Sequence, residues 1–184
     1  ASWAMTLRTP SDLGYSDEGY ILPDLRIQDH VVMASAPPEG MLFHDMAAKG
    51  IQGRLAARCA SIPDRVEQAA KIATGNGQWL VWCGLNDEST ALARAIPGTV
   101  EISGRDSYVE KRNAILGFVR GDIRVIVTKM KIAGFGLNLQ NCHQMICVGL
   151  GDSYEQYYQG IRRCWRFGQH EPVDVHIVIS EAET

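Results

Sequence analysis

Short apolar runs alternate with longer amphipathic ones along most of this 184-residue chain. Strands are predicted at His30-Val-Val-Met33, Trp79-Leu-Val-Trp-Cys83, Val100-Glu-Ile-Ser103, Ile123-Arg-Val-Ile-Val-Thr128, Met145-Ile-Cys-Val148 and Val173-Asp-Val-His-Ile-Val-Ile179. Between them, segments 39–49, 63–74, 87–96, 106–120 and 153–167 predict helices. Strands alternating with helices imply an α/β fold, a mostly parallel sheet flanked by helices on both faces. Val125-Ile-Val127 is apolar throughout, which suits a strand buried on both sides. Residues 1–29 are rich in turn formers (Thr9-Pro10, Ser11-Asp12, Leu22-Pro23-Asp24) and read as a lead-in, leaving 30–184 as the domain.

The last predicted helix carries the densest chemistry. Asp152 or Ser153 can cap it, Gln156 completes a capping box with Ser153, and Gly168 stops it. Over 153–167 the helical period places Gln159, Arg163 and Arg166 at i, i+4 and i+7, on one face, with Arg162 beside them. No carboxylate lies three or four residues from either Arg163 or Arg166 within that helix. Guanidiniums crowded together without compensation favour an anionic ligand.

Ligand crevices in open α/β sheets lie beyond the carboxyl ends of the strands. The segment after the fourth strand therefore matters: Lys129-Met-Lys-Ile-Ala-Gly-Phe-Gly-Leu-Asn-Leu139. Gly134 and Gly136 allow close backbone approach, and Lys129 and Lys131 add charge. By itself this reads as a tight packing turn. Together with the arginine segment it suggests two loops facing a common crevice.

Composition narrows the class without defining it. A net charge of −3 gives no global basicity, so contact with nucleic acid would rest on local patches. Lys111, Arg112, Arg120 and Arg124 form one such candidate, but Asp106, Glu110 and Asp122 are interleaved with them, as on a solvated helix face. The five cysteines are odd in number and form no Cys-x-x-Cys pair. Four lie in apolar contexts, as reduced thiols of a cytoplasmic protein do. Cys142-His143 with Cys147 lacks a second ligand pair, so no metal site is expected. No apolar run is long enough for a membrane span. Trp165, Tyr157 and Tyr158, at helical spacing, read as packing residues before base-stacking ones. An opening without methionine reads as a piece excised from a longer protein.

These motifs together resemble the second RecA-like lobe of superfamily-two helicases of the DEAD/DEAH-box kind, and more narrowly the Swi/Snf-like DNA-translocating ATPases. Gln159-Gly-Ile-Arg-Arg-Cys-Trp-Arg166 is similar to their motif VI, and Phe167-Gly-Gln169 extends the likeness. Lys131 through Leu139 resembles motif V, Trp79–Ser89 occupies the place of motif IV, and Gly104–Phe118, with Arg112, fits between. Leu7-Arg8 and Leu22-Pro23 look like the linker entering the lobe, and the detailed wording is most like phage or prophage members.

The resemblance implies a three-layer RecA-like, P-loop NTPase-like fold and a part of an ATP-dependent DNA helicase or translocase. It implies Arg163 and Arg166 as arginine fingers, with Gln159 orienting the γ-phosphate or the attacking water. Gly134, Gly136, Asn138 and Arg162 would lie beside the nucleotide; Arg162 departs from the family pattern and either supports the fingers or meets DNA. Thr128, Lys129, Lys131 and Arg112 would face nucleic acid, with Thr128 or Lys129 standing in for a Ser-Thr pair that the family carries. No Walker A or Walker B motif occurs in the chain. ATP and Mg²⁺ would therefore be held mainly by a first RecA-like lobe, the expected partner together with duplex DNA, and the lobe alone would be inactive. The alternative is a non-catalytic nucleic-acid or protein interaction module that kept the fold.

Overall fold

In the computed structural model, residues 9–18, 20–33, 50–133, 137–149, 151 and 153–181 are described. The predicted helix at 39–49 lies outside them. Six strands form one sheet: β1 (Leu25–Val32), β2 (Trp79–Cys83), β3 (Thr99–Ile102), β4 (Val125–Lys129), β5 (Gln144–Val148) and β6 (Val173–Ser180). Their order is β1-β6-β5-β2-β4-β3, and every pairing is parallel. The helices are α1 (Gly50–Ala60), α2 (Ile62–Ile72), α3 (Asn86–Ala95), α4 (Tyr108–Arg120), the short α5 (Met130–Ala133) and α6 (Tyr154–Ile161). The first strand starts five residues before its predicted position, so the end of the lead-in is already part of the sheet. Helix α1 was not foreseen.

Strand side chains alternate between two apolar layers. Leu80 and Trp82 of β2 join Ile126, Met145, Cys147 and Val175 beneath Phe118 of α4 and Ile161 of α6. Trp79, Val81 and Cys83 join Val125, Val127, Ile146 and Val148 beneath Val66 and Ala69 of α2 and Leu92 of α3. A strand whose two faces both meet helices needs no polar side, which explains the unbroken run Trp79–Cys83. Cys83, Cys142, Cys147 and Cys164 are buried free thiols, and burial pushes Cys147 up to about 12. They behave as core groups.

Local signals set the helix ends. Ser107 accepts from the Glu110 amide while Glu110 accepts from the Ser107 amide at 2.7 Å, a full capping box. Gly121, at φ 87°, closes α4 in the left-handed region. The loop after β2 leads to α3 on one face; the loop after β5 leads to α6 on the other. Because β2 and β5 are neighbours, a crevice opens between those loops.

Candidate active site

Ser153 caps α6, its hydroxyl accepting from the Gln156 amide at 3.3 Å. The helix does not reach residue 167 as its sequence suggests; it ends at Ile161, with Arg162 as C-cap. Beyond it the backbone tightens: Arg163 N donates to Gly160 O and Cys164 N to Ile161 O, both over three residues. Tertiary contacts override the local helical period here. Cys164 is buried in the core, and its carbonyl is taken by the side chain of Gln169.

Arg163 and Arg166 are nevertheless brought together, by a turn instead of a helical stripe. Nη1 of each donates to the same carbonyl, Leu137 O, at 3.4 and 3.5 Å. The backbone seals the arrangement, with Leu139 N donating to Arg163 O at 3.0 Å. Neither arginine meets a carboxylate among the described residues, and Arg163 Nε is buried without a hydrogen-bond partner there. Burial, then the adjacent Arg166 charge, pull the Arg163 guanidinium below its ordinary pKa. One carbonyl cannot neutralise two guanidiniums. The pair retains net positive charge among the described residues.

Gln159 and Arg162 take other partners. Gln159, one turn back, donates to Glu155 at 3.0 Å. Arg162 turns to the ring of Trp165, 5.2 Å from its centroid. Asn138 is exposed next to Leu137. Gly134 and Gly136 lie outside the described residues. Tyr157 and Trp165 pack against the core, as their spacing suggested, while Tyr158 stays exposed.

Sequence reasoning missed the residue that braces this turn. Gln169 is 7% exposed and uses its whole amide. Its Nε2 donates to Gln140 O and Cys142 O at 3.1 Å and to Cys164 O at 3.4 Å, and its Oε1 accepts from the His170 and Glu171 amides at 3.0 Å. A glutamine beside a glycine in a polar stretch gives no burial signal, so no local pattern reveals this role.

Strand parallelism separates the turn from the carboxyl-edge cleft. After β5 the chain must return to start β6, so α6 carries Arg163 and Arg166 back toward the amino ends, near Cys142. The expected common crevice is therefore two places. At the carboxyl ends a cleft of about 580 Å³ is lined by Arg58, Lys129, Lys131, Gly149 and Ser153 among others, and the arginine pair does not line it. Lys129 donates to Asn86, and Lys131 is exposed. Thr128, by contrast, is buried, its hydroxyl donating to Ile102 O at 3.0 Å. Arg112 is exposed on α4, but the rest of that basic group is spent elsewhere. Arg124 holds the carbonyls of Ala73, Gly75 and Pro97, and Arg120 pairs with Asp122.

Beneath the cleft is a second feature the sequence hid. Arg65 and Glu88, both fully buried, pair at 3.0 Å. Glu88 also accepts from the Gly84 amide at 2.8 Å, fixing the loop after β2. Burial raises the Glu88 pKa, with Arg65 pulling against it.

A single all-parallel six-stranded sheet with helices on both faces matches the RecA-like fold of helicase C-terminal lobes. The sequence profile of the helicase conserved C-terminal domain matches residues 65–168, and the chain belongs to that family. Among solved structures, the chain is similar to the C-terminal part of the Fun30 ATPase domain (19% identity, TM-score 0.57, covering 66% of this chain and 41% of that one). It is also similar to the DUF1998 helicase MrfA bound to DNA (15%, 0.55, 65% and 17%) and to a DEAD box protein from the hyperthermophile Methanococcus jannaschii (20%, 0.55, 66% and 34%). At these identities the likeness is one of fold, and this chain spans less than half of each of those chains. No curated protein matches. Among the described residues no helix is long and apolar enough to cross a membrane, and no three side chains gather as metal ligands.

Proposed function

We propose that this chain is the second motor lobe of an ATP-dependent DNA helicase or Swi/Snf-like translocase, with Arg163 and Arg166 as its arginine fingers. The observation that carries this reading is the pair of guanidiniums held on Leu137 O, without a carboxylate among the described residues and with a buried unpartnered Nε on Arg163. ATP with Mg²⁺, held mainly by a first RecA-like lobe, supplies the phosphoryl group whose transfer to water drives the motor. The donor set fits it, since planar guanidiniums present paired N–H groups to phosphoryl oxygens. Arg163 and Arg166 would stabilise the charge that develops on those oxygens, and because the turn is already braced they need little reorganisation. Arg58, Lys129 and Lys131, in the separate cleft, would contact a DNA backbone, which requires only donors and positive charge.

The test uses the protein containing both lobes. Arg163→Ala and Arg166→Ala should each lower DNA-stimulated ATP turnover by about 10³-fold or more while the fold is retained. Unchanged turnover in both would overturn the assignment.

A further inference from the structure

The arginine turn is held from outside as well as from within, and the outer holder is the segment that enters the domain. The Trp165 indole N–H donates to Pro23 O at 2.7 Å. The rings of Tyr20 and Phe167 stack with centroids 5.0 Å apart and 29° between planes. Arg162 covers the Trp165 ring at 5.2 Å. The segment is then locked to the sheet immediately afterwards: Val173 N donates to Asp24 O at 2.8 Å, and Leu25 registers with Val173.

The order of roles along the turn is informative. Arg162, Trp165 and Phe167 form or cover the outer contacts, Cys164 is in the core, and Arg163 and Arg166 are the anion-seeking pair. Clamp and finger residues are interleaved between positions 162 and 167, with the buried Cys164 among them. Neither set can shift without the other, because both are fixed to one short stretch of backbone. We infer that Tyr20–Pro23 is a clamp that positions Arg163 and Arg166, so that the entering segment and the arginine pair move as a unit. This rests on the finger reading for its functional consequence, though not for the clamp itself. Trp165, Phe167 and Tyr20 are positioning residues in this scheme.

Tyr20 and Phe167 are more than half exposed, so they can be changed without opening the core. Hydrogen exchange of amides 162–168 in this chain reads the clamp directly. Removing the aromatic pair with Tyr20→Ala should speed local exchange about two- to tenfold with an unchanged melting temperature. Tyr20→Phe should restore protection, and Phe167→Ala added to Tyr20→Ala should cost little more than either alone. In the two-lobe protein, Tyr20→Ala and Trp165→Phe should lower kcat severalfold with KM for ATP little changed. Unaltered exchange in Tyr20→Ala overturns the clamp. So does faster exchange with unaltered kcat in a protein where Arg163→Ala abolishes turnover. If Arg163→Ala itself has no effect, the finger reading fails, and the exchange measurement still decides the clamp.

Discussion

The domain contains two arginine clusters that resemble each other in composition and differ in every physical respect. At the carboxyl edge, Arg65 is fully buried, paired with an equally buried Glu88, and tied to the Arg58 carbonyl. After α6, Arg163 and Arg166 are partly exposed, share one carbonyl and have no carboxylate among the described residues. The first cluster has its counter-charge inside the fold; the second has none among the described residues. Internal compensation makes a guanidinium a brace, while its absence leaves the guanidinium available to a ligand. Arginine number alone separates nothing.

The comparison is broken most decisively by truncation on each side. Arg163→Ala should have the largest effect on turnover and change unfolding free energy by less than about 1 kcal/mol, since it removes no compensated charge. Arg65→Ala or Glu88→Ala should do the reverse, each destabilising the domain by about 3–5 kcal/mol through the stranded buried partner. Denaturant unfolding measures both. The double replacement Arg65→Met with Glu88→Leu should be milder than either single truncation; if it is worse, the pair contributes more than charge compensation.

A smaller effect sharpens the contrast within the second cluster. Gln169→Ala removes five hydrogen bonds and leaves carbonyls of Gln140, Cys142 and Cys164 short of a donor. A loss of about 2–4 kcal/mol is expected, with a fall in kcat because the turn loosens. A stable variant with normal kcat would show that the turn holds itself. The smallest effect belongs to the cleft: Lys129→Ala or Lys131→Ala should weaken DNA binding uniformly across sequences. Each should reduce the slope of log affinity against log salt by about 1. No change in slope would remove that lysine from the DNA track.

The parallel sheet was legible because strands buried on both faces write themselves as apolar runs, and Trp79–Cys83 coincides with β2 to the residue. The cap at Ser153 was equally readable, because its signal is local. What escaped was long-range. The helix after Ser153 looked continuous because nothing nearby breaks it; the break comes from Gln169 and from the core burial of Cys164. Nothing local marks Arg65 and Glu88 as a pair, since their partnership spans two helices. The Trp165–Pro23 bond joins positions 142 residues apart, beyond any periodicity. Thr128, offered as a stand-in beside the position where the family carries its Ser-Thr pair, has its hydroxyl donating across the sheet to Ile102 O, another partnership no local pattern reveals.

Gly149 follows β5 with φ 63°, and a Cβ there would run into the Arg65 guanidinium, with Arg58 close behind. Two residues on, a Cβ at Gly151 would meet nothing within 4 Å. A library randomised over this loop would therefore yield two neighbouring glycines with opposite fates under selection for folding: one all but invariant, the other drifting freely. The buried ion pair, invisible as a pair in the sequence, would leave its imprint on a third residue that carries no charge at all.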